Sequence, residues 1–113
     1  MNDITATIKH AVNQELDRSM ELYPCSNLVH GSFGVIKEEV LETFTELGNM
    51  HDKLKDLEKL VYKAKGYPHQ MCADEIALVK GIESDAMDAI NELIQVAAMC
   101  KKYKMAFTYT ALD

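Results

Sequence analysis

Glu38, Glu39, Glu42 and Glu46 recur at helical steps in and just beyond Val35-Ile36-Lys37-Glu38-Glu39-Val40-Leu41-Glu42. On a helix each residue turns about 100°, so these carboxylates share an arc of roughly 100°. Phe33, Ile36, Val40, Phe44 and Leu47 take the opposite side. Downstream, Asp85, Asp88, Glu92, Gln95 and Met99 step by three and four and form a second polar strip. Carboxylates are hard oxygen donors, and two such strips packed face to face make an oxygen cage suited to Mg²⁺. That ion keeps several waters and recruits substrate phosphates to its shell. The chemistry open to such a cage is to position and neutralise a polyphosphate while water attacks phosphorus. The competing reading is the solvated face of an amphipathic helix. Against it, like charges one turn apart destabilise a helix by about 0.2–0.5 kcal/mol per pair. Neither Lys37 nor Lys53 is spaced to relieve them.

Helices must position these groups. Ile4, Ile8, Ala11, Val12, Glu15, Leu16, Ser19 and Met20 mark a first helix over residues 4–22. Tyr23-Pro24-Cys25-Ser26-Asn27 ends it, since proline disfavours helix in the residue before it. Leu28-Val29-His30-Gly31 reads as a short connection, and Ser32 as the N-cap of the second helix. That helix carries the acidic face and meets a break or kink at Gly48-Asn49. It resumes through Met50, Leu54, Leu57, Leu60 and Val61 to about Lys65, with Lys53, Lys55, Asp56, Glu58, Lys59 and Lys63 as its solvated face. Gly66-Tyr67-Pro68 is a firm stop.

A third helix runs from near Asp74, as cap, to about Tyr103. Ile82, Ala86, Ala89, Ile90, Leu93, Ala97 and Cys100 make it apolar over more than half its circumference, as a buried central helix is. Ala86, Ala89, Ala97 and Ala98 would let a neighbour approach closely. The tail over 104–113 has no clear assignment. The whole pattern predicts an all-α fold, an antiparallel helical bundle in a single domain over residues 1–113.

Composition narrows the function. A chain of 113 residues with 48% hydrophobic residues is globular in composition and sized for one domain. Its net charge of −6 includes one arginine, Arg18, and no basic cluster, which argues against nucleic acid as a partner. No apolar run reaches the roughly 20 residues that span a membrane. The N-terminal residues lack a signal-peptide pattern, and the three unpaired-looking cysteines, Cys25, Cys72 and Cys100, suit a reducing compartment. The expectation is a cytoplasmic protein. There is no Glu-x-x-His, HExxH, glycine-rich phosphate loop or GxSxG, and His10, His30, His51 and His69 are scattered.

From about Met20 to Tyr103 the sequence resembles the all-alpha nucleoside-triphosphate pyrophosphohydrolases, in particular the short MazG-like proteins of phages and prophages. The resemblance rests on two segments. Tyr23-Pro24 with His30-Gly31-Ser32-Phe33-Gly34-Val35-Ile36-Lys37-Glu38-Glu39-Val40-Leu41-Glu42 is similar to an aromatic-Pro, a His and an aromatic leading into EExxE. Glu92-Leu93-Ile94-Gln95-Val96-Ala97-Ala98-Met99 is similar to the subgroup's E-L-x-Q-x-A-A phrase. The resemblance implies Mg²⁺, with Mn²⁺ as a substitute, held by Glu39 and Glu42 on one helix and Glu92 on the later one. Glu38 and Glu39 would be the catalytic carboxylates, Glu38 in support or through water. In the family a second acid follows three residues after Glu92; here that place is Gln95, whose amide can coordinate but brings no charge. Spacing, rather than the family pattern, adds Asp88 as a carboxylate that could compensate. The implied substrate is an NTP or dNTP, cleaved to the monophosphate and pyrophosphate by a homodimer or homotetramer. The alternative is a helical module that binds nucleotide or protein and has lost the chemistry.

Overall fold

The computed structural model describes residues 2–22, 29–63 and 72–107, with the side chains of 2, 29–31 and 107 left aside. Three helices account for nearly all of them: α1 (Asn2–Leu22), α2 (Val29–Lys63) and α3 (Ala73–Phe107). No strand occurs among the described residues, so the chain is all-α there. The expected turns at Tyr23-Pro24 and Gly66-Tyr67-Pro68 fall outside the described residues.

Two expected boundaries move. Helix α2 begins at Val29 instead of after Ser32, so the expected connection at 29–31 is already helical. A capping preference is a weak local signal beside the cooperativity of a 35-residue helix. The same cooperativity carries α2 through Gly48-Asn49 without a break. At α3, Asp74 and Glu75 sit in the first turn rather than capping it, where their charge suits the positive end of the helix dipole. The amide of Ile76 donates to the Cys72 carbonyl at 3.0 Å and closes that first turn. Lys104 in the last turn complements the other end, and the helix takes in residues 104–107 of the tail.

The chain divides into two compact units, residues 1–42 with 91–113, and residues 43–90. In the first, α1 is tied to the end of α3. Lys102 Nζ donates to Ser19 Oγ at 2.8 Å and to the Ser19 carbonyl at 3.3 Å, and Lys101 Nζ donates to Asn13 Oδ1 at 2.8 Å. Ser19 is buried and its hydroxyl also faces Met99 Sδ at 4.0 Å. Val12 and Ala98 are the buried apolar residues described in this unit. In the second unit, the later part of α2 packs on the start of α3 around Ala89, Thr43, Glu75 and Asp85.

Helix α2 withdraws only part of its acidic side, leaving Glu38 and Glu42 exposed, and covers only part of its apolar back, where Ile36 and Val40 are half-buried. Glu39 and Glu46 are half-buried, and Thr43 between them is buried. Phe33, Phe44 and Leu47, expected at the apolar back, are exposed at 56%, 64% and 44%. The same holds for α3, where Ile76, Val79, Ile90 and Leu93 are exposed. Expected as a buried central helix, α3 keeps much of its apolar surface uncovered within one chain. Among the described residues no large side chain is fully buried.

Candidate metal centre

Glu39 and Glu42 lie three residues apart on α2, so one turn of helix brings their carboxylates side by side. Glu92 meets them from α3. One ligand oxygen from each of the three lies within 4.8 Å of the others. Glu39 and Glu92 are half-buried and Glu42 is exposed, so the group has a dry side and a side open to solvent. Glu92 hydrogen-bonds to both Glu39 and Glu42, while the Oε2 atoms of Glu39 and Glu92 are shielded from water.

A hydrogen bond between two carboxylates needs a proton between them, and the local electrostatics supply the reason to hold one. Burial is the main cause that pushes the Glu39 carboxyl above its ordinary range. The charges of Glu42, Glu38 and Glu15 push the same way, and the hydrogen bond from Glu92 offsets part of it. Glu42 is raised chiefly by its hydrogen bond to Glu92, then by desolvation and by the charges of Glu92 and Glu38. The raised Glu39 and Glu42 carboxyls, crowded with Glu92, form a donor set that a divalent cation would relieve, because it would replace protons as counter-charge. The donors are all carboxylate oxygens, which fits a hard ion such as Mg²⁺.

A stability test follows from the sign of these shifts. A carboxyl raised in the folded state favours folding below its unfolded pKa, about 4.3, and loses that contribution as pH rises through the raised value. In chelator at pH 7, Glu39→Gln should therefore be more stable than wild type relative to the same comparison at pH 4. The gain should be roughly 0.5 kcal/mol or less, because water screens part of the repulsion. Urea unfolding at both pH values measures it, and identical differences at the two would show that Glu39 feels no such crowding.

The remaining residues singled out by sequence divide as follows. Glu38 is exposed beside the group, and its charge raises both Glu39 and Glu42. Gln95 is half-buried one turn beyond Glu92 and adds no charge. Asp88 belongs to a different group, with Glu46 and Asp85, whose ligand oxygens also lie within 4.8 Å of one another. His30 lies in α2, but its side chain is outside the described residues.

Three residues have partners that were not expected from sequence. Glu15 on α1 bears on Glu39, and Arg18 holds it with Nε 3.0 Å from Glu15 Oε2 and a second bond from Nη2 to Oε1. The Glu-x-x-Arg spacing on the face that carries Ser19 was the available signal. Lys53, expected on a solvated face, is half-buried and forms an ion pair with Asp85. Helical spacing relates it only to its own helix, so this partner on α3 was out of view.

No protein-family model, curated protein or solved structure matches the chain.

Proposed function

We propose that the chain is a small all-alpha, MazG-like nucleoside-triphosphate pyrophosphohydrolase that uses Mg²⁺ to cleave an NTP or dNTP to the monophosphate and pyrophosphate. One observation carries the reading: Glu39 and Glu42 come together with Glu92, far along the chain, with ligand oxygens within 4.8 Å. These are the three positions at which the resemblance implies metal ligands. Glu39, Glu42 and Glu92 would hold the cation, and Gln95 could add an amide oxygen.

When bound, Mg²⁺ supplies counter-charge to the phosphates and acidifies water. The half-buried side chains of Glu39 and Glu92 fix the donor set against the helix pair, and exposed Glu42 and Glu38 line the open side. In the reaction a water oxygen bonds to a phosphorus of the α–β bridge, the bond to the bridging oxygen breaks, and pyrophosphate or the monophosphate leaves. The water proton passes to a carboxylate, with Glu38 as acceptor directly or through a second water. Within residues 43–90, Lys53 reaches Asp85 while Glu46 reaches Asp85 and Asp88, which supports antiparallel pairing of α2 and α3.

A second reading is favoured by Gln95. A site one carboxylate short of the family pattern binds a hard cation less well, and a nucleotide-binding or interaction module that lost turnover fits it. Thermal melting separates ligand binding from its absence. With Mg²⁺ and a bound triphosphate at about 100 times its Kd, the protein should gain roughly 2.7 kcal/mol. No shift with any triphosphate would set the enzyme reading aside in favour of an interaction module.

The exposed apolar residues of α2 and α3 support a second or further copy as partner, giving a homodimer or homotetramer. Phe44, at 64% exposure, is among the bulkiest of them. Phe44→Glu should convert the assembly to a monomer in light scattering coupled to size exclusion. A wild-type protein that is monomeric at micromolar concentration would contradict the assignment. Among the described residues no helix is long and apolar enough to cross a membrane.

A further inference from the structure

We propose that Lys53 is a tethered cation that fills the second carboxylate group, Glu46, Asp85 and Asp88, and keeps it from taking up a divalent ion. That group matches the first in its donors: three carboxylates whose ligand oxygens lie within 4.8 Å of one another, with Asp85 buried and Glu46 half-buried. Crowded, partly desolvated carboxylates demand a counter-charge. Here one is present. Lys53 Nζ pairs with Asp85 Oδ2, and both side chains are largely withdrawn from solvent, at 35% and 12% exposure.

The path of the lysine is built into α3. Gly81 lies one turn before Asp85 on the same face, and the stem of Lys53 crosses over it. A Cβ at position 81 would stand 2.9 Å from both Cδ and Cε of Lys53, closer than side chains pack. Glycine is an unfavourable choice in a helix interior, and Gly34 and Gly48 have nothing within 4 Å of such an atom. Of these three helical glycines, Gly81 alone has its missing side chain replaced by another residue. An ammonium is a compact point charge with three donors and no acceptor, so it serves carboxylates as counter-charge. Being covalently tethered, it competes at high effective concentration against an ion from solution. The result, among the described residues, is two similar acidic groups of which one is open to a divalent cation. This inference concerns residues 43–90 and does not rest on the nucleotide reading.

Counting bound Mn²⁺ on the full-length, metal-free protein by calorimetry and electron paramagnetic resonance tests it. Lys53→Met should bind one more ion per chain than wild type, and Lys53→Met with Asp85→Asn should return to the wild-type number. Lys55→Met, which removes the same charge from an exposed position, should leave the number unchanged. If Lys53→Met does not fold, Lys53→Gln keeps most of the stem and answers the same question. If the first group holds no ion, the count runs from zero to one instead of from one to two, so the failure of that reading is seen separately. Equal counts in wild type and the Lys53 variants, or an equal gain in Lys55→Met, would overturn the proposal.

Discussion

Glu92→Gln should lower magnesium-dependent pyrophosphate release by about 100-fold or more while leaving the helical content intact. The replacement is nearly isosteric, so packing changes little, but the group loses a charge and its bridging role. Glu92 is the contribution of α3 to the carboxylate group and hydrogen-bonds to both Glu39 and Glu42. A bound divalent ion supplies several kcal/mol to phosphoryl chemistry, and losing about 3 kcal/mol of that is roughly 100-fold in rate. The expected pattern is a fall in kcat/KM, together with a smaller stabilisation by Mg²⁺ than the wild type is expected to show. Comparing kcat/KM and circular dichroism for the two proteins checks it. A variant with wild-type kcat/KM would remove Glu92 from the site.

Ala98→Leu should destabilise the fold by about 1–3 kcal/mol, the usual effect of adding methylenes to a packed interior. Ala98 has no exposed surface at all, although no large side chain described is so completely enclosed. A wider side chain there must displace its neighbours or leave a preferred rotamer. For a domain near this size that corresponds to a fall in Tm of roughly 5–20 °C. Ala73→Leu is the control, since Ala73 is exposed at the start of α3 and helix propensity changes little. Melting curves of the two variants should differ sharply; equal curves would show that Ala98 is not closely packed.

The helices themselves were legible from periodicity, because long amphipathic repeats outweigh single breakers. Gly48 illustrates this: nothing lies within 4 Å of where its Cβ would be, and α2 continues through it as helix. The grouping of Glu39, Glu42 and Glu92 was legible only by joining helical spacing to a resemblance, since spacing cannot say which faces of two helices meet. The direction of each face was not legible. Amphipathicity assigns apolar faces to a core, but Phe33, Phe44 and Leu93 are exposed while Glu39, Thr43 and Asp85 are withdrawn. A repeat of apolar residues records what a helix packs against without recording whose chain supplies it. Lys53 and Gly81 were invisible for a related reason, because their contact joins two helices at positions that carry no motif.

The most direct measurement is product analysis on the purified protein with a panel of NTPs and dNTPs and Mg²⁺ or Mn²⁺, beside Glu39→Gln. The expected result is equimolar monophosphate and pyrophosphate from at least one triphosphate, lost in the variant. Pyrophosphate release undiminished by Glu39→Gln, or no product from any triphosphate with a folded protein, would contradict a hydrolase built on Glu39, Glu42 and Glu92.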